Sequence, residues 1–401
     1  MKVVFLSSFY PRRYKDQYLK ESRAGLSAAS DAHQYALALG LNKYCESFEI
    51  INIPAVFPFP RRNKNMFVKK EIVEENGLRI RILPGCNLYG IQPLVRYREA
   101  KKAIKEIAKS TDDIVYVVVY ETTSYALRCA TECKNEHQNI RISVIIPDLP
   151  IFMDTKFVRL VNKLFFKSFQ TYICQFDSYV LITKSMKDIV GCEEKKYIVS
   201  EGVYDETTTP RYEHNQKSNS FIIVYTGMLH KKYGALNLVN AVHQLKDEQM
   251  ELRLCGYGDA VPEIKAISII DKRIKYVGVV SREMALLEQS NASLLVNPRT
   301  PDDNPFTKYS FPSKTLEYFA SGTPTLLYKL EGIPEEYYNY CYAIEPENTD
   351  VEYLSRRIKE IKDIGQTENN QLGHRARQFV LENKNSTVMA KKIIELLQQT
   401  L

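Results

Sequence analysis

One alternation constrains the fold more than any other feature. Ala292-Ser293-Leu294-Leu295-Val296-Asn297-Pro298 is a short apolar run closed by proline. That is the pattern of a strand buried on both faces of a parallel sheet. Thr325-Leu326-Leu327-Tyr328 reads as the next strand. Between them Ser313 stands where it can cap a helix over about 314–321, and Gly322 provides the stop. A helix starting at the carboxyl end of a parallel strand offers free N–H groups and a partial positive charge, a seat for a diphosphate. Ser313, Lys314 and Thr315 form that start, and Lys314 adds a cation. Glu317, one turn further on the same face, is placed to accept both hydroxyls of a ribose. The same spacing also fits a capped helix in an ordinary α/β domain.

The segment resembles the donor-site signature of family 4 glycosyltransferases: a Glu, seven residues, a second Glu, then Ala-x-Gly-x-Pro. Glu317 matches the second Glu, and Ala320, Gly322 and Pro324 match the ending. The first Glu falls on Tyr309, so recognition of the donor sugar differs here. Phe311-Pro312-Ser313-Lys314 is similar to a variant found in bacterial surface-polysaccharide enzymes. The resemblance is strong over 221–324 and weak before 144. It implies an α/β GT-B fold, two facing Rossmann-like domains with parallel sheets and a last helix that crosses back to the first. The domains are then expected at 1–203 and 221–383, with a linker over 204–220 and the crossing helix over 384–401.

Length and charge fit that reading. At 401 residues the chain has room for two domains of about 200 residues with full cores. Eight scattered cysteines show no Cys-x-x-Cys and no metal spacing, which suggests reduced thiols and a cytoplasmic protein. No apolar run reaches the ~18 residues of a membrane span. Residues 1–200 carry 31 Lys and Arg against 21 Asp and Glu, a net +10; residues 201–401 carry 24 against 27, a net −3. A basic half invites nucleic acid or an anionic membrane surface. No nucleic-acid module is recognisable, so peripheral contact with the inner face of a membrane is the expectation.

Along the first half, Lys2–Ser7 reads as a strand opening into a long polar loop, Phe9 to Ser27. The resemblance puts a glycine pair at the end of this loop, and Gly25-Leu26-Ser27 holds its place. Ser30 or Asp31 is expected to cap a helix over Ala32–Gly40. Residues 54–99 suggest a mobile basic excursion or a solvated loop, carrying Arg61, Arg62 and Lys64, and a basic helix is expected over Arg98–Lys109. The strand 114–120 brings Glu121 to its carboxyl end. The next strand ends in Pro147-Asp148, where the family has His-Asp near the reacting sugar carbon. Pro147 replaces that His, and Asp148 matches the Asp or simply caps a helix. The segment 157–172 is amphipathic with Arg159, Lys163 and Lys167 on one face; it packs on its own domain or touches lipid.

In the second half, Thr226-Gly227-Met228-Leu229-His230-Lys231-Lys232-Tyr233-Gly234 resembles the family's Gly-Arg-Leu, then Lys-Gly, phosphate loop. Met228 and Tyr233 occupy the Arg and Lys positions, so His230, Lys231 or Lys232 must replace their charge. Gly256-Tyr257-Gly258 resembles a second donor-side loop, and Arg299 either meets phosphate or bridges to Asp302 or Asp303. The resemblance implies a retaining glycosyltransferase using a nucleotide sugar, most simply UDP-linked, with a glycan or lipid-linked glycan acceptor. No metal and no other cofactor is expected. Gly227, His230, Lys231, Lys232, Gly258, Arg299, Ser313, Lys314, Thr315 and Glu317 are the donor candidates, and Lys314, Asp148 and Glu121 the catalytic ones. A nucleotide-sugar epimerase and a non-catalytic partner of the same fold are the rival readings.

Overall fold

The computed structural model describes residues 1–149, 158–191, 195–205, 220–301 and 305–400, without the side chains of 28, 158–165, 305 and 306. It divides into two compact units, Met1–Asp205 with Ser386–Leu401, and Glu206–Asn385. Most of the stretch read as a linker, 204–220, lies outside the described residues.

The first unit runs β1 (Lys2–Ser7), α1 (Lys15–Glu21), α2 (Ala28–Tyr44), β2 (Ser47–Asn52), β3 (Phe67–Val68), β4 (Glu71–Glu75), β5 (Leu78–Ile82) and β6 (Gly85–Cys86). It continues through α3 (Gln92–Lys109), β7 (Val115–Tyr120), α4 (Ser124–Glu136), β8 (Ile140–Ile146), α5 (Val158–Ile173), β9 (Ser178–Leu181), α6 (Met186–Val190) and β10 (Lys196–Val199). The sheet order is β10-β9-β8-β7-β1-β2-β5-β4, and only β4 is antiparallel to its neighbour. Every residue of β7 is buried. This is why it reads Val-Tyr-Val-Val-Val-Tyr with no polar alternation: helices cover both faces of such a sheet.

The second unit is β11 (Phe221–Met228), α7 (Ala235–Gln244), β12 (Met250–Tyr257), α8 (Val261–Ile270), β13 (Ile274–Gly278), α9 (Arg282–Ser290) and β14 (Leu294–Asn297). Then come α10 (Lys314–Ser321), β15 (Thr325–Tyr328), β16 (Tyr342–Ile344), α11 (Val351–Ile364) and α12 (Gln366–Asn383). Its six strands pair in the order β13-β12-β11-β14-β15-β16, all parallel. The last helix, α13 (Ser386–Gln398), returns to the first unit. There Met389, Ile393 and Leu397 join Val3, Phe5, Leu37 and Leu41 in one buried cluster. The crossing with α2 is close enough that a Cβ on Gly40 would sit 2.2 Å from the Ser386 carbonyl oxygen.

Three local expectations are corrected. The loop expected over 9–27 contains α1, and the helix expected over 32–40 begins at Ala28. Asp31 therefore caps nothing. It is buried, accepts the Tyr10 N–H at 2.9 Å, and pairs with Arg12 at 2.6 Å and Lys15 at 2.7 Å. The excursion expected over 54–99 contains β5 and, on the sheet edge beside it, β4, then the ribbon β3–β6, and an earlier start to α3, with Pro93 in its first turn. Arg62 lies 4.1 Å over the Phe57 ring, and the Lys64 amine donates to the Lys20 carbonyl at 2.6 Å.

Candidate functional site

The second unit gathers its candidates where β11, β12 and β14 end. Gly227 has φ 135° and Gly256 φ 145°, backbone that only glycine adopts without strain. A Cβ on Gly256 would fall 1.7 Å from the Gly227 carbonyl oxygen, and one on Gly258 would fall 2.2 Å from that of Leu229. Two strand ends thus lie bare backbone to bare backbone. A Cβ on Gly227 would meet the Lys314 amine at 2.4 Å, so a side chain there displaces the cation.

Lys314 opens α10 and its amine donates to the Tyr225 hydroxyl at 3.0 Å, lying 4.1 Å over the same ring. Tyr225 is almost fully buried, which raises its phenol pKa, so it stays protonated and donates to the Met228 carbonyl at 2.9 Å. As a residue Lys314 is only half-buried, yet its amine is enclosed. Burial pushes its pKa down to about 7; Glu317 opposes that shift and Arg299 adds to it.

α10 is clamped in place through its second turn. The Tyr318 hydroxyl accepts the Thr226 N–H at 3.0 Å, and Gln289 of α9 donates to the Thr226 hydroxyl at 2.9 Å. Ser313 stands at the N-cap position, exposed, with helical dihedrals and no side-chain capping bond, which departs from the expected cap. Thr315 is fully buried and its hydroxyl has no hydrogen-bond partner among the described residues. Glu317 is on the outer face of the same turn, where Arg282 donates to it at 3.1 Å.

The expected replacement cations divide. Lys231 turns to α8 and pairs with Glu263, while its N–H binds Asp259 at 2.8 Å. His230 also approaches Asp259, at 3.3 Å. Lys232 lies 5.2 Å over the Tyr233 ring. Arg299, 9% exposed, lies 5.7 Å over that same ring and donates to Ser310 at 2.9 Å. Two cations therefore flank the aromatic residue that holds the family's lysine position. Asp302 and Asp303 lie outside the described residues. Tyr225, Tyr318, Gln289 and Arg282 were missed from sequence because nothing in a strand or helix pattern distinguishes a polar tip that braces from one that is solvated.

The first unit gathers a different set at the carboxyl ends of β1, β7 and β8. Glu121 follows β7 with φ 100°, left-handed backbone on a non-glycine residue. The Ser8 hydroxyl donates to its carboxylate, and burial raises its pKa against that bond. Gln34 accepts the Ser8 N–H at 2.7 Å and donates to Ser30 at 3.0 Å. His33, absent from the expected set, meets the Tyr120 hydroxyl at 3.0 Å through Nδ1. Its Nε2 is buried without a partner among the described residues, and burial lowers its pKa to about 4, so the ring is neutral at pH 7. Asp148 is open to solvent, so the upward push on its carboxyl from nearby protein is largely screened. Burial raises the Tyr120 phenol pKa, and the nearby Glu121 and Asp148 charges add to it. Among the described residues no three His, Cys, Asp or Glu side chains cluster as metal ligands.

Residues 220–364 match the family model of glycosyl transferases group 1. No curated protein matches the chain. Among solved structures it is similar to Anabaena Alr3699/HepE in complex with UDP, at TM-score 0.65 and 13% identity over 100% of both chains. It is similar to the sucrose-phosphate synthase of Thermosynechococcus elongatus, at 0.63 and 14% over 100% of this chain and 99% of that one. A UDP-forming trehalose-phosphate synthase from Burkholderia xenovorans follows at 0.61 and 10%, over 99% and 100%. The likeness establishes the fold: two Rossmann-like α/β domains with parallel sheets, the GT-B glycosyltransferase fold.

Proposed function

We propose that the protein is a metal-independent, retaining glycosyltransferase that moves a sugar from a UDP-linked donor to a glycan or lipid-linked glycan in surface-polysaccharide synthesis. The observation that carries this reading is the enclosed Lys314 amine beside Gly227 at the start of α10, within the segment that matches the family model. HepE, similar over its whole length, has been seen with UDP and with UDP-glucose.

In this reading the diphosphate sits against the start of α10, where Ser313 and the Lys314 amine face it with the helix end's partial positive charge and a cation, while the Thr315 N–H is taken by the Pro312 carbonyl at 2.8 Å. The bond from the anomeric carbon to the phosphate oxygen breaks, its electron pair staying on the diphosphate. Lys314, the pair Arg299 and Lys232, and His230 at the rim meet that developing charge. Glu317 accepts the ribose hydroxyls with Arg282 holding its carboxylate. The acceptor oxygen bonds to the anomeric carbon from the face the leaving group departs, and its proton passes to the departing phosphate. Little protein base is then needed, so Glu121 and Asp148 orient the acceptor.

Calorimetry with UDP, GDP and dTDP, followed by turnover with the matching sugars, tests the reading; UDP binding and acceptor-dependent release are expected. Isomerisation of the donor without an acceptor would make the protein an epimerase. Binding of none of the three would make it the non-catalytic partner, a reading favoured by Met228, Tyr233, Pro147 and Tyr309 at usual ligand positions. Among the described residues no helix is long and apolar enough to cross a membrane. A lipid-linked acceptor is then reached by peripheral docking of the basic first unit on anionic lipid, which salt should reverse. Replacing Arg61, Arg62 and Lys64 by Ser, or Arg159, Lys163 and Lys167 by Ser, should tell in liposome sedimentation which segment touches; Lys167 is exposed on α5.

A further inference from the structure

We propose that the first unit carries a separate subsite for an uncharged saccharide, in a cavity of about 300 Å³ between α1 and the β3–β4 segment. That volume lies at the small end of ligand sites. Its lining places it at the carboxyl side of the sheet, where ligands of parallel α/β folds bind. Ile82 ends β5, Glu71 pairs with it at the start of antiparallel β4, and Val56 follows β2.

The wall has the composition that sugars need. Phe67 exposes 66% of its surface, a large cost for a phenylalanine with nothing to cover it. With Tyr14 and Tyr18 it offers aromatic surface to the C–H face of a pyranose. Around these rings stand groups that exchange hydrogen bonds with hydroxyls. Glu71 accepts from Tyr14 at 2.7 Å and keeps its second oxygen for a ligand, and Gln17 donates to Glu21 at 2.7 Å. The exposed Asn65 carboxamide makes no side-chain hydrogen bond among the described residues.

Charge decides against the alternatives. Two carboxylates, Glu21 and Glu71, face one cation, Lys69, inside the lining. A phosphate or an anionic headgroup would be repelled. Of the nearby cations, Arg12 and Lys15 pair with Asp31, Lys64 binds the Lys20 carbonyl and Arg62 lies over Phe57, while Arg13 lies 5.6 Å over the Tyr14 ring. An uncharged polyhydroxyl ring remains. The site deepens the proposed function by giving the acceptor glycan a place to be held; only the identification of the occupant as acceptor rests on that reading.

The chain contains no tryptophan, so Phe67→Trp puts a single reporter in the wall of the full-length protein. The probes are neutral oligosaccharides of glucose, galactose, rhamnose and N-acetylglucosamine, a sulfated oligosaccharide, and phosphatidylglycerol vesicles. A saturable emission change with at least one neutral oligosaccharide is expected, weakened about tenfold by Glu71→Gln, the cost of one lost hydrogen bond. UDP affinity, measured on the same variants, should not move. Silence with every neutral sugar, a response only to the anionic probes, or a response that Glu71→Gln and Asn65→Ala leave intact would each overturn the subsite. Loss of UDP binding by the parent protein would instead overturn the donor reading and leave the subsite standing.

Discussion

The carboxyl ends of the two sheets solve opposite problems. In the second unit the strand ends are stripped to backbone at Gly227, Gly256 and Gly258, with the Lys314 amine against Gly227 and Arg299 and Lys232 over the Tyr233 ring. In the first unit the corresponding ends are crowded with polar side chains, Ser8, Gln34, His33, Tyr120 and Glu121, largely satisfied by one another. Bare N–H groups with a cation suit a diphosphate, whose charge is large and whose position is fixed. A network of hydroxyl, amide, imidazole and carboxyl groups suits hydroxyls, which are recognised chiefly by geometry. The difference teaches that one architecture, used twice, is specialised by what stands on its strand ends.

The contrast breaks most visibly through glycine. Gly256→Ala should destabilise the fold by about 3 kcal/mol or more, because a left-handed φ and a backbone clash act together. Gly25, in the first unit with φ 74° and nothing within 4 Å of its Cβ position, should cost only about 1 kcal/mol as alanine. Urea midpoints of the two variants measure the difference. Equal midpoints would mean the second unit does not need bare backbone.

Next in size is Lys314→Met, expected to lower kcat about 10²–10³-fold with a smaller change in the donor KM, as for removal of one preorganised donor to a developing anion. Its pH signature has a definite sign. The amine loses its proton as pH rises through about 7 in the free protein, and a bound diphosphate raises that pKa. Donor affinity is therefore greatest below pH 7 and falls above it, and Lys314→Met should flatten the profile. For folding the same depression acts in reverse. Between about 7 and the ordinary 10.5 the unfolded chain holds the proton more tightly, so this contribution to stability grows with pH across that window.

Glu317→Ala should weaken nucleotide binding by about 1–3 kcal/mol without unfolding the protein. Unchanged affinity in calorimetry would remove Glu317 from the ribose. Smallest is Glu121→Gln, which should raise the acceptor KM by roughly tenfold and leave UDP affinity untouched. If UDP affinity falls instead, the division of labour between the two regions is wrong.

Legibility followed the same divide. The unit 292–328 appeared in the structure nearly as the sequence reads: β14, α10 over Lys314–Ser321, Gly322 left-handed at the C-cap, then β15. Short apolar strands, a helix between them and glycine punctuation are local signals, strong where both sheet faces are buried. The stretch 9–99 was read least well. α1 is a seven-residue helix with none of its residues buried, so no hydrophobic period announces it. β4 is the edge strand and β5 lies beside it, both rich in Glu and Arg, and β5 joins the sheet only by pairing with β2, about 30 residues earlier.

Within the candidate site, spacing and the family resemblance named Lys314, Glu317 and the glycines as candidates, each having a chemistry or a dihedral that few residues supply. Their partners were decided only in three dimensions. Lys231 and Lys232 are adjacent in sequence, yet one pairs with Glu263 and the other lies over Tyr233, since a single helical turn points them apart. Arg299 and Tyr233 meet because β11 and β14 are neighbours in the sheet, 66 residues of chain notwithstanding. The sequence by itself determined which groups can carry charge and where backbone must be bare. The tertiary structure decided which charges are spent on the protein and which face outward, because that depends on burial and on partners from distant strands.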